Sequence, residues 1–414
     1  MLTQPRSARY AFWAILAATA AVRIGYGAVI PGMPLYVQEH GMGTGMIALM
    51  TNAYMVANAL FQSYAGHLGD RFGRRNLMIA GTWLYTVAAA LFMFDGGPWF
   101  YVVLRALEGL GAAAFGPASR AYVADVVPEG ERGKAYGQLM SFDMAGVLLG
   151  PMAAGLVQNF GGLRASFALC AILGLLASVP LLLLTRGRQT AATVAAATGT
   201  SAVRSATTAP PIISTPRLLK SPAFWAVALP GIGFAYLNGL YTVVWSLYMQ
   251  DHGATVWQIN LSWTLFAVPM VLFMVPFGAL ADRVGRPLLI AVGGLAAALV
   301  TLGYAAFPAP WALLGLCMLD GVASSMFTPA SQAYLAEVAP GDMRGKFMGL
   351  VGSASTIATI AAVFLVGYLY EHATPLWLFS LGSLSLLLGC GSAVIIMLRH
   401  PAAALRERLE QLGD

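Results

Sequence analysis

The fold class the sequence predicts is an all-α membrane protein of twelve transmembrane helices in two pseudo-symmetric six-helix bundles. Three observations lead there. Of 414 residues, 58% are hydrophobic and only 10% charged, where a soluble domain carries roughly 25% charged residues. Apolar segments long enough to span a bilayer, about 20 residues each, recur along the chain. The second half repeats the first at a fixed offset.

A water-soluble fold cannot hide so much apolar surface, so lipid is the expected solvent for most of the chain. Lipid leaves no partner for a free backbone amide, which selects helices. The runs are long and continuous, unlike the short alternating strands of a β-barrel. The expected spans are 11–37, 45–66, 76–95, 98–122, 134–158 and 164–185, then 222–250, 256–280, 287–307, 310–335, 345–371 and 375–398. Arg6 and Arg9 ahead of the first run resemble a signal peptide. The run continues to about Tyr36 without a clear cleavage site, so it is read as a retained first helix. The stretch 186–221 is rich in Thr, Ala, Ser and Pro. It cannot bury a core and reads as a flexible cytoplasmic linker between bundles at 1–185 and 222–398, with 399–414 left as a tail.

Basic residues set the orientation. With both termini inside, the cytoplasmic segments receive Arg6, Arg9, the 71–75 cluster, Arg132, Lys134, Arg283, Arg286, Arg344, Lys346, the linker basics and the tail, and the opposite side receives only Arg164. The expected location is the inner (cytoplasmic) membrane. The net charge of +6 is spread through short loops, so it is not a nucleic-acid signal. Cys170, Cys317 and Cys390 lie in apolar runs without metal-ligand spacing and read as small core residues.

The repeat is visible in matched pairs. Gly66 and Gly278 open equivalent loops, an offset of 212 (278 − 66). The same offset maps Pro117-Ala118-Ser119 onto Pro329-Ala330-Ser331, Ala121-Tyr122 onto Ala333-Tyr334, and Arg132-Gly133-Lys134 onto Arg344-Gly345-Lys346. Duplicated six-helix halves in one orientation imply parallel repeats about the membrane normal, with a site between them near the midplane.

The first of those loops reads Gly66-His67-Leu68-Gly69-Asp70-Arg71-Phe72-Gly73-Arg74-Arg75, and its counterpart runs from Gly278 through Asp282, Arg283 and Gly285 to Arg286. Glycine permits the tight turn. Asp70 is suited to cap a helix or meet a cation, and the arginines to meet carboxylates such as Asp125. Remaking such bonds would bias which way two halves rock, a conformational switch; the plainer reading is that the basic residues only hold the loop inside. Both loops resemble the signature loop of the major facilitator superfamily. The fifth helix carries Gly137, Gly146, Gly150-Pro151 and Ala154-Gly155. That spacing is similar to the antiporter motif of the drug:proton antiporter branch, with Ala154 where glycine is usual. The resemblance implies export rather than uptake. Gly27, Pro31 and Pro34 in the first helix are also similar to that branch.

Arg105-Ala106-Leu107-Glu108-Gly109 in the fourth helix resembles the family's intramembrane arginine motif, with Glu108 where glutamine is commoner; the resemblance implies a role for Arg105 in proton transfer. From the residues alone, Arg105 and Glu108 share a helix face. Charge at that depth is costly and needs a partner or a wet cavity. The offset places Asp320 at the position of Glu108, one carboxylate per half. A carboxyl in a dry site loses the hydration of its charged form and can take up a proton. Asp143 in the fifth helix is a further proton-coupling candidate, and the competing reading of Arg105 and Glu108 is a static packing pair. Arg23 lies mid-way along the first helix and needs a counter-charge; Asp143 and Glu108 both qualify, and an anionic substrate group is a third option. Tyr26, Asn52, Asn58, Asn238, Tyr241, Trp245, Trp263 and Phe266 are candidate cavity residues, because aromatic rings give adaptable apolar contact and hold cations. Lipid-facing or interfacial packing is as good a reading of each ring.

His40, His252 and His372 fall at helix ends and read as solvated. There is no nucleotide-binding loop, no nucleophile–base set and no metal spacing, so an enzyme, an ATP-driven pump and a cofactor or metal site are not expected. The expected partners are a small-molecule substrate, protons and the lipid bilayer, with no nucleic acid, for a monomer. The leading expectation is a proton-coupled exporter of small amphipathic compounds. Within transport, a selective metabolite or sugar exporter and a lipid-linked substrate flippase remain alternatives. A non-transporting receptor that kept the fold is a further alternative; the intramembrane charges and intact loop motifs argue against it, and the linker and tail offer little room for the output domain a sensor usually needs.

Overall fold

The computed structural model describes residues 6–128, 131–183, 218–339 and 344–411. Every described element is helical. The linker assignment at 186–221 lies almost wholly outside the described residues. The chain divides into two compact units, Met1–Val203 and Arg204–Asp414.

In the first unit the helices are α1 (Arg6–Val29), α2 (Gly32–Glu39), α3 (Thr44–Phe72), α4 (Arg74–Leu91), α5 (Pro98–Val126), α6 (Arg132–Gly161) and α7 (Arg164–Leu183). In the second they are α8 (Pro222–Gly239), a π-helical turn (Leu240–Val244), α9 (Trp245–Asp251), α10 (Val256–Val284), α11 (Arg286–Ala306), α12 (Pro310–Val338), α13 (Arg344–His372), α14 (Pro375–Arg399) and α15 (Ala402–Gln411). Taking α1 with α2, and α8 with the π-turn and α9, gives six spans per unit, the fold expected from the sequence. Ten of the twelve are long and apolar enough to cross a membrane by composition alone. The exceptions, α4 and α5, carry Arg74, Arg75, Arg105 and Glu108, and they pack on each other and on α7 and α3.

Local chemistry sets the helix ends. Proline occupies the first turn of α5, α8, α12 and α14, where a missing N–H costs nothing. Thr255 and Gln258 form a reciprocal capping box on α10. The turns between α3 and α4 and between α10 and α11 hinge on Gly73 and Gly285, at φ of 90° and 97°, a region that penalises any residue with a Cβ.

The repeat extends to packing. The pairs α3–α5, α1–α6, α4–α5, α1–α7 and α4–α7 recur as α10–α12, α8–α13, α11–α12, α8–α14 and α11–α14. The Gly109 face of α5 lies against the Tyr54 carbonyl of α3, and the Gly321 face of α12 against the Phe266 carbonyl of α10.

Two departures from the expected spans matter. The first helix, expected unbroken over 11–37, stops at Val29 and restarts at Gly32, where Pro31 removes a donor. Its counterpart is interrupted at the equivalent place by the π-turn Leu240–Val244. The tail forms α15, whose Leu405 and Leu409 are fully buried in the core of the second unit.

Candidate functional site

Charge inside the first unit is arranged as a chain across four helices. Arg105 donates to Glu108, and Glu108 is fully buried. The Arg105 guanidinium lies 4.8 Å from the centre of the Tyr54 ring, near enough for a cation–π interaction. Tyr54 stacks on Tyr26 at 5.8 Å, and the Arg23 guanidinium lies 5.9 Å from the Tyr26 ring. Arg23 then donates from Nε to Asp143 at 2.5 Å. Thus α5, α3, α1 and α6 are joined by alternating charges and rings. Of the carboxylates open to Arg23, the structure selects Asp143.

The antiporter-like glycines explain that selection. A methyl on Gly150 would meet the backbone of Gly27 and Ile24 at 2.6 Å, and one on Gly27 would meet the Val147 carbonyl at 2.9 Å. A methyl on Gly146 would meet the Ala20 carbonyl at 3.0 Å and Arg23 Cβ closer still. The bare seam lets α1 and α6 touch along their backbones and brings Arg23 onto the turn that carries Asp143. Pro151, Ala154 and Gly155 are buried on the same helix.

The second unit handles its carboxylate differently. Asp320 is 1% exposed and accepts from the hydroxyls of Tyr241 on the π-turn and Tyr304 on α11, the latter at 3.0 Å. The two donors, Tyr241 and Tyr304, also wall a small apolar pocket with Trp245, Trp263, Phe266 and Cys317. Trp245 donates to Ser262 at 2.9 Å. The π-turn, which adds a residue to one helical turn, carries Tyr241 to the carboxylate. Four of the candidate cavity residues, Tyr241, Trp245, Trp263 and Phe266, therefore line this one pocket. Asn238 is exposed and donates to its own helix at the Phe234 carbonyl, Asn58 donates to the Gly109 carbonyl at 3.2 Å, and Asn52 is buried in α3.

At the loop end of each unit one of the signature arginines meets carboxylates. Arg74 bonds Asp125 at 2.5 Å and the Ala121 carbonyl at 2.6 Å. Arg286 bonds Glu337, Asp282 and the Ala333 carbonyl. Arg71 and Arg283 are exposed, and Arg71 lies over the neighbouring Phe72 ring. The surroundings of Gly66 and the Asp70 side chain lie outside what the structure describes. Arg75, which the sequence reading did not single out, ties α4 to α7 through the Leu181 and Leu182 carbonyls.

The opposite end of the first unit corrects one expectation. His40 is not simply solvated: Nδ1 meets the Tyr36 carbonyl at 2.7 Å and Nε2 meets Asp95 at 3.1 Å, and Arg164 bonds the same carboxylate. The hydrogen bond from His40 and then that from Arg164 hold the Asp95 carboxyl below the usual carboxylate range. Tyr54, Tyr304 and Cys317 were also missed. The repeat offset from Phe266 points to Tyr54, and the offset from Arg105 points to Cys317; nothing in the sequence marks Tyr304.

Among the described residues no cluster of His, Cys, Asp and Glu could hold a metal ion. The model of the Major Facilitator Superfamily matches residues 15–244 and 231–412. The chain is similar to "Multidrug resistance protein 2" of Bacillus subtilis, 25% identical over 84% of this chain and 86% of the relative. It is 28% identical to "Multidrug resistance protein MdtG" of Escherichia fergusonii over 81% of each chain. Among solved structures, a bacterial homologue of the human lysosomal transporter Spinster, inward-facing and unoccupied, superposes with a TM-score of 0.74 at 14% identity, covering 99% of this chain and 98% of that one.

Proposed function

Because the chain belongs to the Major Facilitator Superfamily, whose members are membrane transporters, we propose that it is a proton-coupled exporter of small amphipathic compounds, of the multidrug type. It works by alternating access in the inner membrane with both termini in the cytoplasm. The bundles 1–185 and 222–398, joined by the linker 186–221, rock between two states, with the signature loops as the switch.

One observation carries the proton coupling. The repeat-related carboxylates Glu108 and Asp320 are both buried, and each has one oxygen bonded and the other, Glu108 Oε1 or Asp320 Oδ1, without a hydrogen-bond partner. A buried carboxylate with an unfilled oxygen has a strong demand for a proton or another cation. A proton on Glu108 cancels the attraction that holds Arg105, freeing the guanidinium to shift over Tyr54. A proton on Asp143 does the same for Arg23 across the α1–α6 seam. Substrate binds from the cytoplasm, the bundles exchange sides, and the proton returns through Glu108, Asp320 or Asp143. The multidrug-resistance names of the two relatives support the substrate class.

The test is uptake into inverted proteoliposomes under an imposed pH gradient with a panel of amphipathic compounds. The parent should accumulate several unrelated compounds only while the gradient lasts. Glu108→Gln, Asp143→Asn and Asp320→Asn are each compared with it. Gradient-driven movement equal to the parent in all three variants would overturn the coupling.

A further inference from the structure

Three histidines stand at helix ends, and each sets Nδ1 against the carbonyl four residues back: His40 on Tyr36 at 2.7 Å, His252 on Tyr248 at 2.8 Å and His372 on Tyr368 at 2.9 Å. Of the three, His40 alone has an acceptor at its other nitrogen among the described residues, Asp95 Oδ1 at 3.1 Å from Nε2. Both ring nitrogens of His40 therefore face oxygens. A neutral imidazole has one N–H and donates to one of them, whereas the protonated ring donates to both. The contact with Asp95 is complete only when His40 carries a second ring proton.

Asp95 gathers three connections of the first unit at the end away from the signature loop. It lies between α4 and α5, His40 comes from the turn after α2, and Arg164 at the start of α7 bonds the same carboxylate. The segment that bears His40 is separated from α1 by the break at Pro31, and Tyr36 fixes its middle by donating to the Phe92 carbonyl at 2.8 Å. Beyond Tyr36 the chain turns at Gly41, with φ of 71°, before α3 begins at Thr44. His40–Asp95 is the side-chain bond that ties this turn to the loop between α4 and α5. The other titratable groups around the imidazole are the exposed Glu39 beside it and the rings of Tyr36 and Tyr101, at 4.2 and 5.8 Å. The neighbouring turns of α3 (44–50), α4 (88–91) and α6 (156–161) bring no charge. The bonds from His40 and Arg164 hold the Asp95 carboxyl below the usual range, so it stays an anion across the interval of about pH 5 to 8 in which histidine changes charge. The equivalent segment of the second unit, α9, is tied instead by Tyr370 donating to Asp251, a bond in which His252 takes no part.

We propose that His40 is a proton-operated latch: a proton on its imidazole closes the Nε2 contact with Asp95 and pins the turn between α2 and α3 to the loop between α4 and α5, and loss of that proton releases the turn. The latch is fastened in acid and opens as pH rises through the histidine range. In the orientation given above it faces the outside, the acidic side of an energised membrane. The outer end of the first unit is then restrained while protons are plentiful there. This response is separate from the transported proton, since Glu108, Asp143 and Asp320 have no part in it. The second unit keeps the histidine and its backbone contact without the carboxylate, and so lacks the latch.

The experiment sets one nitroxide label on the full chain in lipid nanodiscs, without substrate or gradient, through Gln38→Cys, an exposed position just before His40; Cys170, Cys317 and Cys390 are buried. The spectrum is read at about pH 5 and about pH 8, on either side of the histidine range. The mobile fraction of the label should rise at least twofold from the lower to the higher pH. His40→Gln and, separately, Asp95→Asn should each abolish that rise. The same label at the equivalent position of the second unit, through Gln250→Cys, should show none. A Gln38 label without the rise, a rise kept in His40→Gln or in Asp95→Asn, or an equal rise from the Gln250 label overturns the proposal. Each variant decides by itself, so misfolding of one leaves the other to be read. Because no movement of substrate is measured, failure here leaves the exporter reading standing, and transport that ignores the gradient leaves the latch standing.

Discussion

Arg74 in the first half reaches the Ala121 carbonyl and Asp125, and Arg286 in the second half reaches the Ala333 carbonyl and Glu337. At the other end of each bundle Tyr36 donates to the Phe92 carbonyl and Tyr248 to the Tyr304 carbonyl, both at 2.8 Å. His40 and His252 each set Nδ1 against the carbonyl of that same tyrosine. These pairs all lie 212 residues apart, so the scaffold repeats at the level of single hydrogen bonds. Between the ends the halves diverge. Arg23, Asp143 and Arg105 of the first become Ala235, Ser355 and Cys317 of the second. A duplicated frame can hold its ends fixed while its middle is rewritten, because the helix-end contacts recur in both halves and the mid-helix charges do not.

The sharpest way to break this comparison is to give the first half the second half's residue. Arg105→Cys leaves Glu108 buried with no counter-ion, and stripping one partner from a buried ion pair costs about 3–5 kcal/mol. Thermal unfolding in detergent at pH 8 should show a large drop. Adding Glu108→Gln should restore most of it, since the neutral amide removes the stranded charge. A single variant as stable as the parent would mean that the Arg105–Glu108 pair contributes nothing to the bundle.

Next in size is the α1–α6 seam. Gly150 faces the backbone of Gly27, whereas the equivalent seam in the second half accommodates Ala362. Gly150→Ala forces the first seam apart, and overpacking of this kind costs about 1–3 kcal/mol. The widened seam should also loosen Arg23 from Asp143, read as a loss of coupled transport beyond what the loss of folded protein explains. If the variant matches the parent in both, the close approach of the two helices is not what positions the pair.

The spans were legible because an apolar run of bilayer length has one stable solution, and the repeat was legible because identical residues recur at one offset. The break at Pro31 was marked by its proline. The π-turn at Leu240–Val244 was not: Leu-Tyr-Thr-Val-Val holds no helix breaker and reads as continuous helix. That turn moves Tyr241 onto Asp320, so the contact escaped with it. The Arg105–Glu108 pair could be read from i,i+3 spacing on one helix. The partner of Arg23 could not, because choosing between Asp143 and Glu108 depends on how deeply α1 sinks against α6, a matter of packing and not of spacing. Cys317 read as an inert core thiol, and its interest appears only when it is seen standing where the other half has an arginine.

A smaller effect tests the loop ends. Arg74→Ala and Arg286→Ala each remove an ion pair with partly exposed partners, where about 0.2–1 kcal/mol is typical. The repeat requires the two losses in unfolding free energy to agree within a few tenths of a kcal/mol. A clear inequality would mean that the contacts around Arg286, its bond to Asp282 among them, differ in strength from those around Arg74.

The smallest effect lies where the repeat fails at the far end. His252 keeps the backbone contact of His40, but the positions equivalent to Asp95 and Arg164 are Phe307 and Leu376. Only the first half therefore has a carboxylate at that position. The His40 hydrogen bond, then that of Arg164, depress the folded-state value of Asp95 below its ordinary 3.8. The stabilisation is therefore present above pH 3.8 and is lost as pH falls through the lowered value. Asp95 is fully exposed, so solvent screens most of the gain and the shift in unfolding temperature should be small. Asp95→Asn should lower the unfolding midpoint slightly at pH 6 and by less at pH 2.5, while Phe307→Ala in the second half shows no such pH dependence. An Asp95→Asn difference that persists unchanged at pH 2.5 would place the effect in packing of the loop and not in the charge of the carboxylate.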